Sequence, residues 1–346
     1  MLFSVYLVSA FLVASALAVA IIQTSMPVLQ RYALARPNAR SSHQIPTPQG
    51  GGIAVVVGTL VTAHVSGVIA EAYPGAAAAL SLATGTLLLA IIGAWDDIYP
   101  LSALPRLVLQ AVCVAVLLAY APVEGSLFPG HWPSVLSFAI ALIAGIWFVN
   151  LVNFMDGLDW ILVAEMVPVT AALAIFGWFG FLDPFATLVA ASLCGALCGF
   201  ALFNKPVAKL FLGDVGSLPI GLMVAWLLYI LATNGHVVAA VLLPLYFCAD
   251  ATITLLRRAA RRERLLDAHR SHFYQRATDH GFTAMAVAGH VVTVNLGLIV
   301  LASLTIIMPH PGIQLAALGV GCLLVSLLLR RFSKPRLIAD IRKPQS

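Results

Sequence analysis

The sequence has few charged residues. Asp, Glu, Lys and Arg make up 10% of the 346 residues, hydrophobic residues make up 61%, and the mean hydropathy is +0.99. A soluble domain is about one-quarter charged, so this composition excludes an ordinary soluble protein and indicates a chain embedded in lipid. The five cysteines lie in apolar stretches without the spacing of a metal site, and we interpret them as packing residues.

Lysine and arginine are missing from every turn on one side of the apolar stretches. A helix needs about 20 apolar residues to cross roughly 30 Å of hydrocarbon. This length predicts about eleven spans, at 2–22, 52–70, 76–94, 107–121, 134–151, 161–180, 185–203, 217–234, 237–256, 284–306 and 313–329. The turns on one side carry Glu71, Glu124 and Asp183 but no cation, and all nineteen Lys and Arg residues lie on the other side. Because positive residues stay on the cytoplasmic side, we predict an all-α polytopic membrane protein with its N-terminus outside and its C-terminus inside.

The cation-bearing side also carries the polar motifs. Its segments are predicted at 23–51, 95–106, 152–160, 204–216, 257–283 and 330–346. The rule that keeps cations inside explains the net charge of +5, so nucleic acid is not expected as a partner. The sequence shows no internal repeat or second domain, which predicts one membrane domain over 1–346. The first stretch lacks a positive amino-terminal region, which favours a retained span over a signal peptide.

Two adjacent acids, Asp96 and Asp97, follow the third predicted span directly. Neighbouring carboxylates repel each other and also repel anionic lipid, so a cation, a metal or a proton must compensate them. The alternative is a solvated helix end, because loops readily carry acids.

A polar residue recurs at every third position through Asn150, Asn153, Asp156 and Asp159. On a helix this spacing makes a slowly drifting polar stripe, and Gly157 is expected to interrupt the helix. Polar groups inside an apolar span are unfavourable unless they are partnered. Helix packing would explain the asparagines, but it does not explain two carboxylates in the same row.

The segment from Asn204 to Ser217 combines cations, an acid and glycines. Gly213 and Gly216 flank Asp214 and would let a ligand approach the backbone closely. Ser217 is predicted as the N-cap of the eighth span, and a helix N-terminus attracts phosphate. A plain turn capped by a serine is the alternative.

Basic residues and histidines gather between residues 257 and 283. His269, Arg270 and His272 mix donors that suit a diphosphate, although basic inner loops are common. The arginines before them are more typical of topology signals or lipid contact.

Two further acids lie inside predicted spans, where a charge at mid-depth is unfavourable by about 2.5–3.5 kcal/mol. Asp250 is a candidate site residue, and we expect it to pair with Arg257 or Arg258. Glu165 is a second candidate. The glycine-ended loop 36–52 is a weak signal by itself.

Carboxylates, amide oxygens, a helix N-terminus and basic donors on one membrane face suit phosphoryl transfer assisted by Mg²⁺, with Mn²⁺ as an alternative ion. Mg²⁺ binds few carboxylates and fills its other positions with water and phosphate oxygens. The lipid surroundings indicate that one substrate is itself a lipid.

Taken in order, the motifs resemble those of the polyprenyl-phosphate N-acetylhexosamine-1-phosphate transferases of glycosyltransferase family 4. The resemblance rests on Asp96-Asp97, on 150–159, on 211–217 and on 269–276, and it covers essentially the whole chain. It implies transfer of a sugar-1-phosphate from a UDP-sugar to undecaprenyl phosphate, with release of UMP, at the cytoplasmic face of the bacterial inner membrane. A homodimer is compatible with it.

The resemblance also implies residue roles, carried over by position. Asp214 would bind Mg²⁺ with Asn153 beside it, and Asp156, Asn204 and Phe211 would hold the uridine. Asp96 and Asp97 would be the catalytic residues at the lipid phosphate. The diphosphate or sugar would be held by His269, Arg270 and His272, and the site would be supported by Asn150 and Asp159.

Two departures from the family pattern are informative. Trp160 stands where the family commonly has the last glycine of Asp-Gly-Leu-Asp-Gly, which puts the local turn in question. Residues 269–276 read His-Arg-Ser-His-Phe-Tyr-Gln-Arg and lack the three clustered histidines of the peptidoglycan and enterobacterial-antigen enzymes. They look more like the branch that begins O-antigen chains, with GlcNAc or a 6-deoxy sugar such as FucNAc or QuiNAc.

We expect a single displacement in which a lipid phosphate oxygen attacks the sugar-bearing phosphorus. The second pKa of a phosphate monoester is about 6, so passing its proton to an ordinary Asp, with a pKa of about 3.9, is uphill by roughly 3 kcal/mol. Asp96 is the first candidate base, provided that repulsion from Asp97 raises its pKa. Placement and electrostatics are the alternative role for this pair, and a covalent aspartyl intermediate is an alternative route.

Other classes fit the sequence less well. A membrane transporter has ionisable groups near mid-membrane and repeated halves, whereas these acids cluster at one boundary. The run after Asp156-Gly157 lacks the signature of CDP-alcohol phosphotransferases, and a membrane scaffold leaves the polar row unexplained. Within the family, phospho-N-acetylmuramoyl-pentapeptide transferase is the alternative.

Overall fold

The computed structural model describes residues 2–35, 46–73, 75–99, 101–123, 125, 127, 133–264 and 269–335. The elements in chain order are α1 (Leu2–Tyr32), β1 (Leu34–Ala35), β2 (Thr47–Pro48), α2 (Gly52–Ile69), α3 (Ala76–Ile98), α4 (Ala103–Ala119), α5 (Ser134–Phe154), α6 (Ile161–Trp178), α7 (Pro184–Asn204), α8 (Asp214–Leu231), a π-helical turn (Ala232–His236), α9 (Val237–Leu242), α10 (Leu245–Ala260), α11 (Phe273–Asp279), α12 (Ala284–Ile307) and α13 (Pro311–Phe332).

Long apolar helices make up most of the fold. Within the described residues, nine helical stretches are long and apolar enough to cross a membrane, and Asp214–Leu242 counts as one of them. Helix α4 is apolar but shorter. Helices satisfy their backbone hydrogen bonds internally, as a hydrocarbon environment requires, and the predicted all-α, multi-span membrane protein is confirmed. Residues 36–45 of the predicted loop 36–52 and Glu124 lie outside the described residues.

The ninth predicted span is interrupted. Spans 217–234 and 237–256 are joined by the π-helical turn, where Gly235 has φ +90°. The prediction of one continuous helix over 237–256 is wrong, because α9 ends at Leu242 and α10 begins only after Pro244. Proline has no backbone N–H and disrupts a helix interior.

Helices α7 and α8 form the centre of the bundle. Helices α1, α2 and α6 pack on α7, while α3, α4 and α5 pack on α8. The first turn of α8 is held very closely, since a Cβ added at Gly52 on α2 would overlap the backbone of Gly216, and one at Gly93 on α3 would overlap that of Asp214. Small residues allow such close approach of helix backbones.

A short chain segment before α2 crosses to the segment before α8. Strands β1 and β2 pair antiparallel. The Phe211 nitrogen donates to the Pro48 carbonyl (2.8 Å), and the Gly51 nitrogen donates to the Phe211 carbonyl (2.9 Å). Two segments that are far apart in sequence, 46–52 and 211–214, therefore meet at the end of the bundle where α8 begins.

Candidate active site

A polar cavity of about 250 Å³ lies where α5 and α7 end and α8 begins. We call it the acidic cavity, and it is lined by Ala35, Gln49, Asn153, Asp156, Gly157, Leu158, Asp159, Asn204, Phe211, Leu212, Gly213, Asp214 and Gln275. Six residues predicted from the sequence are among them: Asn153, Asp156, Asp159, Asn204, Phe211 and Asp214. The lining comes from five separate stretches of the chain.

The start of α8 is capped by a side chain from another helix. The two carboxylate oxygens of Asp97 accept hydrogen bonds from the backbone nitrogens of Asp214 (2.9 Å) and Val215 (3.2 Å). The prediction that Ser217 caps this helix is wrong, because α8 begins three residues earlier, after Gly213. Ser217 instead accepts a hydrogen bond from the Asn153 amide (2.9 Å). Carboxylates are favourable at helix N-termini because of the helix dipole.

Arg106 compensates the other acid of the pair. Its Nη1 lies 2.5 Å from Asp96 Oδ2 and 3.7 Å from Asp214 Oδ2. Asp96 Oδ1 also accepts from the Leu101 nitrogen (2.6 Å), so both oxygens of a nearly buried carboxylate are occupied. The expectation that adjacent acids need compensation is met by a guanidinium for Asp96 and by a helix N-terminus for Asp97. Neither acid lines the acidic cavity.

Asn153 and two carboxylates face one another in the cavity. The Asn153 amide nitrogen donates to Asp214 Oδ1 (2.7 Å). Burial raises the pKa of Asp156 well above its usual value, and the negative charges of Asp214, Asp97 and Asp159 raise it further. Among the described residues no three His, Cys, Asp or Glu side chains converge as a metal-binding group. Two acids and an amide nonetheless suit Mg²⁺, which needs few protein ligands, and a cation would relieve the carboxylate repulsion.

The polar row from 150 to 159 does not form one helical stripe. Helix α5 ends at Phe154, so Asp156 and Asp159 lie in the following turn, and the helix stops before Gly157. A Cβ at Gly157 would overlap the Tyr274 hydroxyl. The turn rather than a helix face therefore directs these two acids toward the cavity.

Trp160 ends this turn in the left-handed conformation, with φ 64° and ψ −1°. Its backbone nitrogen donates to Asn204 Oδ1 (2.9 Å), and its indole nitrogen donates to the Ala201 carbonyl (2.7 Å). Asn204 also donates to the Leu210 carbonyl (3.0 Å). The turn therefore exists with tryptophan in place of glycine, and Asn204 connects it to the segment before α8.

The candidate residues outside the cavity have other partners. Asn150 donates to Gln110 Oε1 (2.6 Å) and to the Ile146 carbonyl (2.8 Å) inside the bundle, an arrangement typical of polar packing between spans. Glu165 accepts from Asn295 (2.7 Å) and from the Phe247 nitrogen (3.3 Å) at the start of α10.

Asp250 organises the histidine segment. It accepts from the backbone nitrogens of Phe273 (2.9 Å) and Tyr274 (3.1 Å), and His272 Nδ1 lies 3.3 Å from it. The predicted pairing of Asp250 with Arg257 or Arg258 is wrong, because α11 folds back over α10 and presents its own N–H groups.

The predicted diphosphate donors lie beside the acidic cavity and do not line it. His269 Nε2 lies 3.2 Å from His272 Nε2, and the His272 ring stacks at 6.5 Å on that of Phe154, at the end of α5. Arg270 pairs with Asp279 at 3.2 Å.

Sequence reasoning missed three residues at this site: Arg106, Gln49 and Gln275. Arg106 is the only cation of segment 95–106, which was its available signal. Gln49 donates to Asp97 Oδ1 (2.5 Å) and lines the cavity, and Gln275 also lines it. An uncharged glutamine in a loop carries no distinctive signal.

The model of glycosyl transferase family 4 matches residues 79–232. This range includes Asp96, Asp97, Asn153, Asp156 and Asp214, which the structure brings together at one end of the bundle. Over this range the chain is similar to glycosyl transferase family 4.

Three proteins similar to this chain carry different names. The phospho-N-acetylmuramoyl-pentapeptide-transferase of Leuconostoc citreum is 28% identical over 51% of this chain and 59% of its own length. The probable undecaprenyl-phosphate N-acetylglucosaminyl 1-phosphate transferase of Bacillus subtilis is 23% identical over 74% of each chain. The decaprenyl-phosphate N-acetylglucosaminephosphotransferase of Mycobacterium leprae is 30% identical over 56% of this chain and 53% of its own length.

Proposed function

We propose that this protein is a family 4 transferase, which moves an N-acetylhexosamine-1-phosphate from a UDP-sugar to undecaprenyl phosphate and releases UMP. The observation that carries the proposal is the convergence of Asn153, Asp156 and Asp214 in one cavity at the end of a membrane bundle. Acids and an amide gathered there suit a diphosphate with its divalent cation. Two of the three relatives are named for a prenyl-phosphate acceptor and an N-acetylglucosaminyl phosphate group, which supports the substrate classes.

The proposed location is the cytoplasmic face of the bacterial inner membrane. Its support is the charge pattern, because the segments that build the acidic cavity all belong to the cation-bearing side of the sequence. The proposed role is the first step of O-antigen or other cell-envelope polysaccharide synthesis, with GlcNAc, FucNAc or QuiNAc as the sugar. The run His-Arg-Ser-His-Phe-Tyr-Gln-Arg at 269–276 supports this branch.

The reaction we propose is one displacement. An oxygen of the lipid phosphate forms a bond to the sugar-bearing phosphorus, the bond from that phosphorus to the bridging oxygen breaks, and UMP leaves with the bridging oxygen. The attacking phosphate is largely dianionic at neutral pH, since its second pKa is about 6. The nucleophile therefore carries its charge before it binds.

The acids at the cavity have two different tasks in this scheme. Asp214 and Asn153, with Asp156 in the same cavity, would hold Mg²⁺, and the bound ion would neutralise the diphosphate. Asp96 and Asp97 already have partners for all their oxygens. We therefore assign them a positioning role: Asp97 places the first turn of α8, and Asp96 orients Arg106 toward Asp214.

A donor panel tests the proposal. Purified protein with undecaprenyl phosphate and Mg²⁺ is offered UDP-GlcNAc, UDP-FucNAc, UDP-QuiNAc and UDP-GalNAc, and UMP release and the lipid-linked product are measured. We expect one donor to be preferred, and Asp214→Ala to abolish turnover while Glu71→Gln, on the opposite side, does not. Absence of UMP release with every donor, or full activity of Asp214→Ala, would contradict the proposal.

The second candidate donor is UDP-N-acetylmuramoyl-pentapeptide. The similarity to the Leuconostoc citreum protein favours including it. Preference for this donor in the same assay would identify the peptidoglycan reaction instead.

A further inference from the structure

Four arginines line a second cavity, which shares no lining residue with the acidic cavity. We call it the arginine cavity; it has a volume of about 360 Å³, is partly open, and is lined by Thr254, Arg257, Arg261, Arg270, Ser271 and Arg276. Thr254 and Arg257 are three positions apart on α10 and share one face of that helix, and Arg261 is the residue that caps its C-terminal end. The other three lie just before α11 and within it.

Positive charge in the arginine cavity exceeds negative charge. In the described part of the chain, Arg270 is the lining arginine with a carboxylate partner, Asp279 at 3.2 Å. The nearby Glu263 is paired with Arg258 (2.9 Å), which does not line the cavity. Like charges around one open cavity repel one another, so the group that fits this cavity is an anion.

Two of the lining residues carry polar atoms without a hydrogen-bond partner. Arg270 Nε and Ser271 Oγ are buried and have no partner among the residues that the structure describes. The guanidinium of Arg257 lies 4.6 Å from the centroid of the Phe273 ring, which holds the charge at the wall. Guanidinium and hydroxyl donors arranged around one space suit the oxygens of a phosphate group.

The position of the cavity indicates the source of that phosphate. It lies at the C-terminal end of α10, where Leu256, next to Arg257, is 63% exposed, as a side chain facing lipid would be. Basic pockets at the cytoplasmic ends of membrane helices bind anionic headgroups. We propose that the arginine cavity binds the phosphate of an anionic membrane lipid.

Helix α11 connects this site to the acidic cavity. Gln275 lines the acidic cavity, and the next residue, Arg276, lines the arginine cavity. A bound headgroup holds α11 from one side and so keeps Gln275 in position on the other. This consequence for turnover rests on the proposed function, whereas the binding itself does not.

The test measures lipid binding directly on the full-length protein. The protein is placed in phosphatidylcholine nanodiscs with increasing phosphatidylglycerol, and the phosphatidylglycerol retained after transfer to detergent is counted by native mass spectrometry. Arg257→Gln/Arg261→Gln should weaken retention by roughly tenfold or more, since two charge-assisted contacts are lost. The matched control Arg262→Gln/Arg264→Gln removes the same charge from exposed positions outside the cavity and should retain the lipid.

A third variant and a second ligand complete the test. Arg276→Gln removes a donor from the α11 side and should also weaken lipid retention. Because this change leaves α10 intact, a loss of retention here cannot come from misfolding of α10. Equal retention by the test and control variants would overturn the proposal. Saturable binding of inorganic phosphate in pure phosphatidylcholine nanodiscs, without retention of phosphatidylglycerol, would assign the cavity to a soluble anion and would also overturn it. None of these readouts requires turnover, so they are independent of the proposed reaction.

Discussion

The carboxylate of Asp97, in the last turn of α3, accepts a hydrogen bond from the backbone nitrogen of Asp214, the first residue of α8. Asp97 does not line the acidic cavity, whereas Asp214 does. The position of the proposed metal ligand is therefore set by an acid that is not part of the cavity lining.

Asp97→Asn should lower the rate of UMP release by roughly a hundredfold or more. An amide cannot accept both N–H groups of α8, and each hydrogen bond to a charged group contributes about 1.5–3 kcal/mol, where about 2.7 kcal/mol corresponds to a hundredfold in rate. The measurement is kcat with the preferred donor.

Asp183→Asn is the matched control for Asp97→Asn. Asp183 caps α7 through the Ala186 nitrogen (3.0 Å), far from the acidic cavity in the predicted topology. It should lose stability without losing activity. A similar loss of rate in both variants would show that the effect of Asp97 is one of general folding.

Asp96→Asn should lower the rate without changing the acidic limb of the pH–rate profile. Both oxygens of Asp96 are occupied by Arg106 and the Leu101 nitrogen, and the dianionic lipid phosphate needs no base. Disappearance of that limb in the variant would instead identify Asp96 as a proton acceptor. The losses of rate caused by Asp96→Asn and by Arg106→Gln should not add up in the double variant, because the two residues act as one ion pair.

Trp160→Gly should be more stable than Trp160→Ala by about 1 kcal/mol. Both variants lose the indole hydrogen bond to Ala201, but only alanine keeps a Cβ in the left-handed conformation, which costs an L-residue roughly 1–2 kcal/mol. Thermal unfolding in detergent measures the difference. Equal stability would mean that the turn relaxes to another conformation when tryptophan is removed.

Binding of Mg²⁺ should weaken as the pH falls through the raised pKa of Asp156. Burial and the neighbouring carboxylates keep this acid protonated at pH values where an ordinary Asp, with a pKa of about 3.9, is ionised. A cation binds the ionised form, so affinity should fall by up to about tenfold per pH unit below that pKa. Mg²⁺ titrations without substrate measure this slope, and Asp156→Asn should flatten it while Glu71→Gln leaves it intact. An unchanged slope in Asp156→Asn would assign the titration to another group.

Local patterns were sufficient to predict most of the architecture. Apolar length alone gives the spans that hold α5 and α7, and the acids at 96–97, 153–159 and 214 lie on the side that the cation pattern indicates. Such features depend on residues close in sequence, which composition and periodicity report directly.

Contacts between distant segments could not be predicted in the same way. Ser217 has the residue type of an N-cap, yet the cap of α8 comes from Asp97, 117 positions before Asp214. Asp250 has arginines two turns further along its own helix, yet its partners are the N–H groups of a helix that folds back over it. In both cases the tertiary packing decides between partners that are equally suitable in chemistry.

The crossing of Gly52 and Gly216 leaves no room for a methyl group between α2 and α8. Apolar carbon atoms ordinarily stay about 3.5–4.0 Å apart, so an alanine at either glycine would displace one helix from the other. Asp214 lies two residues before Gly216 and would move with it. A displacement of about 1 Å can reduce turnover by about a hundredfold, so a single added carbon between two membrane helices would act on the reaction without touching any substrate.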